Sequence, residues 1–294
     1  MSEQNNLHGI VLMTAATAAF IVNDTILKFV MADIPPFETL FLRGVATVIL
    51  GVPLLVVTGQ AKALPKVFDP VVMGRNAFEL LAVLGYIIGL AYAPIADVTA
   101  LSQLAPMLLT LAAVWFFGTK IGKAEIALIC LAFFGALMVA QPGGSGFSAF
   151  ALFGLWNAVC CAARDLIGRQ VKADVPGLVV PLGAGAVVLV GAGIATLLFE
   201  RFVMPDLRIV GLLFGSAVFL TIGHLFIFLA YRRGAVGAVA PFFYTSTIWA
   251  LIAGVVAFGT LPNTLALAGI AVILASGVAV VIMDGRRTRM TGTA

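Results

Sequence analysis

Charged residues are scarce in this sequence. Of its 294 residues, 10% are Asp, Glu, Lys or Arg and 62% are apolar, and the mean hydropathy is +1.14. Soluble domains carry roughly 25% charged residues, so this chain has too little polar surface for a soluble globule. Disordered chains are rich in charge and poor in apolar residues, and that class is excluded as well. The composition predicts an integral membrane protein.

Cysteine and histidine are also rare. Cys130, Cys160 and Cys161 lie in apolar runs without CxxC spacing, and the two histidines stand far apart. A disulfide framework and a metal site are therefore not expected. No GxxxxGK[ST] sequence is present, so a nucleotide loop is not expected either. We therefore predict no cofactor and no metal. We also predict no nucleic-acid partner, because the net charge of +4 rests on few charges overall.

Long apolar runs are abundant. Polar and Pro/Gly-rich breaks separate ten of them, at about 8–31, 36–59, 76–93, 96–118, 123–140, 149–171, 177–199, 208–231, 235–258 and 263–283. A membrane-spanning helix needs about 17–25 residues, and the alternating short segments of a β-barrel are missing. No basic residue precedes the first run, so we expect it to stay in the mature protein. The predicted fold class is all-α, a polytopic bundle of ten transmembrane helices.

The basic residues predict the orientation of the bundle. Twelve of the 17 Lys and Arg residues fall in one set of loops and the C-terminal tail, and only Lys28, Arg201 and Arg208 fall on the opposite side. Basic loops stay in the cytoplasm. Both termini are therefore predicted to be cytoplasmic.

The chain resembles itself at an offset of 141 residues. The segment 24–35 matches 165–176 at six of twelve positions, and Phe-Gly-Thr at 117–119 recurs at 258–260. An odd number of spans per copy inverts the second copy in the membrane, as in many secondary transporters. We predict two inverted five-helix repeats, at 1–146 and 147–294.

Several short motifs resemble a known family. They are Asn23–Lys28, Pro35-Pro36 followed by Arg43, Ala91-Tyr92-Ala93 followed by Leu104-Ala105-Pro106, and in the second copy Ala230-Tyr231 followed by 235–238. With ten spans, the chain resembles EamA-type transporters of the drug/metabolite transporter superfamily. The resemblance implies alternating access, export of amino acids or other metabolites, and a bacterial inner-membrane location. It also implies a monomer or weak homodimer in a lipid bilayer.

Ionisable residues within the spans are functional candidates, since charge is costly at membrane depth. Asp24 and Lys28 share one helix face, and Arg43 lies at comparable depth on the next span, where it could pair with Asp24. Arg164, Asp165 and Arg169 form the repeat-related group near the other membrane face. The two clusters are candidate gates. The alternative is that they only anchor helix ends and join helices.

Two further ionisable residues lie within spans. Glu79 follows Arg75 by one turn, which favours an i,i+4 ion pair. His224 stands in the middle of the eighth span and could titrate during transport, coupling it to protons. A neutral imidazole that joins two helices is the alternative.

Polar and aromatic residues at mid-span are the candidates for substrate binding. Gln103 and Tyr244 occupy matching repeat positions, and Trp156, Asn157 and Cys160 share one helix face. His224 and Tyr86 complete the candidate substrate-binding residues. By contrast, Gly135, Gly254, Gly269 and Gly277 suit close helix packing, and the fifth and tenth spans are expected at the periphery.

These features favour a secondary carrier for a small organic metabolite of low net charge. Export of amino acids or related amphipathic metabolites is the first interpretation, and uptake of a vitamin-like or nucleotide-like compound is the alternative. A membrane-embedded enzyme would need a group of catalytic side chains, which Asp24, Asp165 and Glu79 do not form, because they lie on different membrane sides. A channel is compatible with the repeat, but no polar ring supports it.

Overall fold

Helices suit this sequence because a backbone surrounded by lipid must satisfy its own hydrogen bonds. The computed structural model describes residues 3–57, 61–117, 122–141, 148–168, 170–172, 175, 179–233 and 239–291, and within them every regular element is a helix. The α-helices run as follows: α1 Glu3–Val30, α2 Pro36–Val57, α3 Pro70–Tyr92, α4 Ile95–Ser102, α5 Ala105–Phe117, α6 Lys123–Ala140, α7 Leu152–Gly168, α8 Val179–Phe199, α9 Leu207–Arg233, α10 Thr245–Phe258 and α11 Thr264–Thr291. Short 3-10 helices cover Ala61–Phe68, Ala149–Ala151 and Ala240–Tyr244.

Local sequence signals set the helix ends. Asp69 caps α3 by accepting the N–H of Val71 at 2.9 Å, with Pro70 as the first helical residue. Asn263 caps α11 in the same way through the N–H of Ala266. At its other end α10 stops at Gly259, whose φ of 63° is left-handed. Polar caps begin these helices, and a glycine ends one, as expected from the unpaired backbone groups at helix termini.

The fourth predicted span is interrupted. The sequence predicts one helix over 96–118, whereas α4 ends at Ser102, the chain turns through Gln103 and Leu104, and α5 begins at Ala105. Pro106 explains the break, since proline lacks an N–H and disfavours helical geometry in the residue before it. In the ninth predicted span the 3-10 turn Ala240–Tyr244, which contains Pro241, precedes α10. Both interruptions fall at matching positions of the proposed repeats.

Apolar length and composition fit a membrane. Five helical stretches could cross one: Asn6–Val30, Pro70–Tyr92, Ile95–Phe116, Ala149–Gly168 and Leu207–Ile227. Shorter apolar helices cover Ile126–Val139, Gly183–Phe199, Phe242–Phe258 and Thr264–Val280. The chain is therefore a polytopic all-helical membrane protein.

The helices pack in pairs. α1 lies along α9, α3 along α7, α2 along α8, α6 along α11 and α4 against α10. Glycine permits a close crossing of α6 and α11: a Cβ added at Gly135 would lie 2.9 Å from the Gly269 carbonyl oxygen, and one added at Gly269 would lie 2.5 Å from the Gly135 carbonyl oxygen. Small residues at such crossings are typical of helix association in lipid. We name the end of the bundle where α1 and α3 finish the outer end, after its predicted orientation, and the opposite end the inner end.

Candidate substrate cavity

A cavity of about 300 Å³ lies between α1, α3, α4, α5 and α7 and the start of α10. α6 and α11 contribute no residue to its lining. Phe20 and Phe243 supply aromatic walls, and Pro106 and Leu109 supply apolar ones. The polar lining consists of Thr17, Asp24, Tyr86, Thr99, Ser102, Gln103, Asn157, Cys161, Arg164, Asp165 and Ser246. The cavity is amphipathic, and its charged side chains stand towards its two ends.

Asp24 is bound by neutral donors. Its carboxylate accepts the Asn23 amide and the Tyr86 hydroxyl, each at 2.8 Å. The Tyr86 hydroxyl also lies 3.3 Å from the Thr99 hydroxyl. Arg43 interacts with Asp24 electrostatically, but the two are not within ion-pair distance. The reason is the packing, because α1 lies along α9 whereas α2 lies along α8.

Glu79 is the centre of an ion-pair network towards the inner end. The Arg75 guanidinium lies 3.3 Å from the Glu79 carboxylate, which is the i,i+4 pair that the spacing predicts. Arg164 in α7 donates to the same carboxylate at 2.9 Å and to Asp165 at 2.7 Å. The network therefore joins α3 to α7. Arg169, the third member of the predicted inner cluster, lies outside the described residues.

Lys28 lies one helical turn beyond Asp24, towards the outer end, and joins α1 to the end of α3. Its ammonium group donates to the carbonyls of Leu90 and Ala93 at the end of α3, at 2.5 and 2.7 Å. Pro94 has no N–H to offer the Leu90 carbonyl, so Lys28 satisfies an acceptor that the helix leaves free. The ammonium also lies 5.6 Å from the ring centre of Phe258, and Phe29 packs on that ring at 4.8 Å. We name these contacts of Lys28 and Phe29 with α3 and α10 the outer seam.

Gln103 lies at the interruption between α4 and α5 and faces the second half of the chain. Its amide donates to the Phe243 carbonyl at 3.3 Å and to the Ser246 hydroxyl. Tyr244, its repeat-related partner, is not part of the lining: it packs against Gly277 and is 3% exposed. The side chain that reaches across between the two halves at this position is Gln103.

The α7 candidates divide between the cavity and the helix interface. Asn157 lines the cavity and donates to the Ala82 carbonyl at 3.2 Å. Trp156 packs against Gly85 and donates to the Leu81 carbonyl at 2.9 Å, outside the lining. Cys160 is buried behind the wall, whereas Cys161 faces the cavity.

His224 lies apart from this lining. Its Nδ1–H donates to the Leu220 carbonyl at 2.8 Å, and its ring meets Phe20 edge-on at 5.1 Å. The imidazole also interacts electrostatically with Glu79, Arg43 and Arg164.

Sequence reasoning missed several cavity residues. Thr17, Thr99, Ser102, Ser246 and Cys161 all face the cavity. A signal existed for two of them: Thr17 shares a helix face with Asp24 at i,i+7, and Cys161 with Asn157 at i,i+4. Thr99 and Ser102 lie one turn apart on α4, and Ser246 follows the 3-10 turn Ala240–Tyr244, an interruption that the span count did not predict.

Apolar helices around an amphipathic cavity define a membrane transporter for small molecules. Comparison with known proteins gives a family match: residues 7–141 match the EamA-like transporter family. The chain is 27% identical over 263 residues to the pseudopaline exporter CntI of Pseudomonas aeruginosa, covering 89% of this chain and 91% of the relative. It is 26% identical to a riboflavin transporter of Rhizobium johnstonii, covering 73% and 71%. The chain is thus a transporter rather than an enzyme, integral to the bacterial inner membrane.

The fold is shared with a protein of known crystal structure. The two superimpose with a TM-score of 0.63 over 98% of this chain and 99% of the other, at 21% sequence identity. This likeness describes the whole bundle, including the second half that lies beyond residues 7–141.

Proposed function

We propose that the chain is a secondary carrier that exports amino acids or related amphipathic metabolites by alternating access. The observation that carries this proposal is an amphipathic cavity of about 300 Å³ between helices from both halves of the chain. Its dimensions and mixed lining suit a small organic molecule. Similarity to an exporter over nine-tenths of the chain supports the direction.

The helix packing supports two inverted repeats, 1–146 and 147–294. At an offset of 141 residues, α1 corresponds to α7 and α3 to α9. A two-fold axis in the membrane plane would exchange the α1–α9 pair with the α7–α3 pair, and both pairs are present. It would map the α2–α8 and α6–α11 pairs onto themselves. The interruptions at Gln103 and Tyr244 also correspond.

Alternating access would exchange contacts between the two ends of the bundle. α1 touches α3 at the outer seam, and the repeat-related contact would join α7 to α9 near the inner end. Opening the first contact and forming the second would close the inner end and open the outer one, which is how inverted repeats alternate.

A counterflow measurement tests the carrier. Purified protein in liposomes preloaded with unlabelled amino acid should accumulate external labelled amino acid transiently, with a rate that saturates. Uptake that rises linearly with concentration and shows no counterflow would reject a carrier in favour of a channel. Empty liposomes provide the background. Liposomes that contain a Phe29→Cys/Phe258→Cys variant, cross-linked between the two cysteines, provide a second background.

Similarity to a riboflavin transporter favours a second candidate function, uptake of a vitamin-like or nucleotide-like metabolite. The same liposomes discriminate between the two. Counterflow of labelled riboflavin that amino acids do not inhibit would favour this candidate.

A further inference from the structure

The cavity contains one acidic group that no cation contacts. Of the three charged side chains in the lining, Arg164 and Asp165 are paired with each other at 2.7 Å. Arg164 also pairs with Glu79. The remaining charge is that of Asp24, whose hydrogen bonds come from the neutral Asn23 and Tyr86 side chains. The lining thus has a surplus of one negative charge, at Asp24.

A carboxylate at this depth is costly unless a positive charge approaches it. Lys28 lies one turn away, but its ammonium group is already engaged by the carbonyls of Leu90 and Ala93. Arg43 acts on Asp24 only at a distance, since no ion pair joins them in the part of the chain that the structure describes. Asp24 therefore keeps its capacity to bind a cation that enters the cavity.

The surroundings of Asp24 define what kind of cation would fit. Phe20 lies one helical turn before it on the same face and lines the cavity, and the Tyr86 ring lies beside it. Aromatic rings attract ammonium groups through their faces and exclude water from apolar substituents. Further along, Pro106, Leu109 and Phe243 offer an apolar wall. A carboxylate, two aromatic rings and then an apolar wall suit an organic ammonium with an apolar body better than a hydrated metal ion.

We propose that Asp24 is the binding site for the ammonium group of the transported molecule, which makes the substrate class amine-bearing and amphipathic. This inference rests on the proposed transport function but concerns binding alone. Asp24 is then a specificity-determining residue rather than a member of a gate. An anionic head group is disfavoured, because Arg164, the only arginine among the lining residues that the structure describes, is already paired with two carboxylates.

The test uses Cys161 as a reporter inside the cavity. In the full-length protein with Cys130→Ser and Cys160→Ser, the rate of alkylation by N-ethylmaleimide reports access to this thiol. Three probes share a phenyl ring and a short chain but differ in head group: phenethylammonium, 2-phenylethanol and 3-phenylpropanoate. We expect phenethylammonium to protect Cys161 at a concentration at least about tenfold lower than the other two.

The matched variants are Asp24→Asn and Asp165→Asn, which each remove one carboxylate of the lining. Asparagine can still accept the Tyr86 hydroxyl, so Asp24→Asn should keep the unliganded alkylation rate and lose the preference for the amine. Asp165→Asn should keep that preference, and Asp24→Glu should keep it as well. The proposal is overturned if Asp24→Asn still prefers the amine, if Asp24→Glu loses the preference, if Asp165→Asn loses it equally, or if the amine does not protect the unsubstituted cavity.

Binding and transport fail separately in these experiments. Selective protection by the amine together with an absence of counterflow would refute the carrier and leave the ammonium site standing. Saturable counterflow of amino acids without any effect of Asp24→Asn on amine protection would refute the ammonium site and leave the carrier standing.

Discussion

The Glu79 carboxylate balances two guanidinium groups, those of Arg75 and Arg164. Glu79→Gln should lower the free energy of unfolding by roughly 1.5–3 kcal/mol, the contribution of a hydrogen bond to a charged group. The midpoint of thermal unfolding in detergent measures the direction of this change. The double variant Glu79→Gln/Arg164→Gln should lose less free energy of unfolding than the sum of the two single variants. The reason is that Glu79→Gln alone leaves the Arg164 guanidinium without this carboxylate, and the double variant removes both groups. Additive losses would show that the two side chains are not coupled.

At the scale of single residues, the sequence predicted contacts within a helix better than contacts between helices. The Arg75–Glu79 pair follows from i,i+4 spacing on one helix. The Arg164–Glu79 bond joins residues 85 positions apart and depends on α3 lying along α7. Its charge makes Asp24 a candidate from sequence alone, whereas its hydrogen bond to Tyr86, 62 positions away, depends on how α1 and α3 approach each other. Helix packing, and not residue type, decided these partners.

At the scale of the element, the crossing of α6 and α11 depends on two glycines. A Cβ at Gly135 would meet the Gly269 carbonyl, so Gly135→Ala must push two backbones apart. We expect it to destabilise the protein by about 1–3 kcal/mol, as overpacking does. Gly215→Ala in α9 is the matched control, because nothing lies within 4 Å of its added Cβ. There alanine should stabilise the helix by up to about 1 kcal/mol. Equal thermal midpoints for the two variants would contradict this account of the crossing.

The existence of the helices was predictable and their interruptions were not. Apolar runs bounded by polar residues are sufficient to place helices such as α6 and α9. The breaks at Gln103 and before Thr245 lie inside apolar runs. A count of apolar runs therefore does not detect them. Pro106 and Pro241 were the available signals. The interruptions matter because they bring Gln103 and Ser246 to the cavity wall.

At the scale of the whole molecule, alternating access requires the outer seam to separate in every cycle. Phe29 and Phe258 face each other across it, with ring centres 4.8 Å apart. In a cysteine-free background, Phe29→Cys/Phe258→Cys joined by a short, reducible bifunctional thiol reagent should abolish counterflow, and reduction should restore it.

The control pair tests a contact at the same end of the bundle that the mechanism leaves intact. Gln141 and Asn263 exchange two amide hydrogen bonds at 2.7 and 2.9 Å, where α6 ends and α11 begins. These helices are one of the pairs that the proposed two-fold axis would map onto itself, and they contribute no residue to the cavity lining. Gln141→Cys/Asn263→Cys joined by the same reagent should therefore leave counterflow unchanged. Undiminished counterflow through protein cross-linked at Phe29 and Phe258 would mean that the seam does not open during transport, and the substrate would then need another route from the cavity to the outer side.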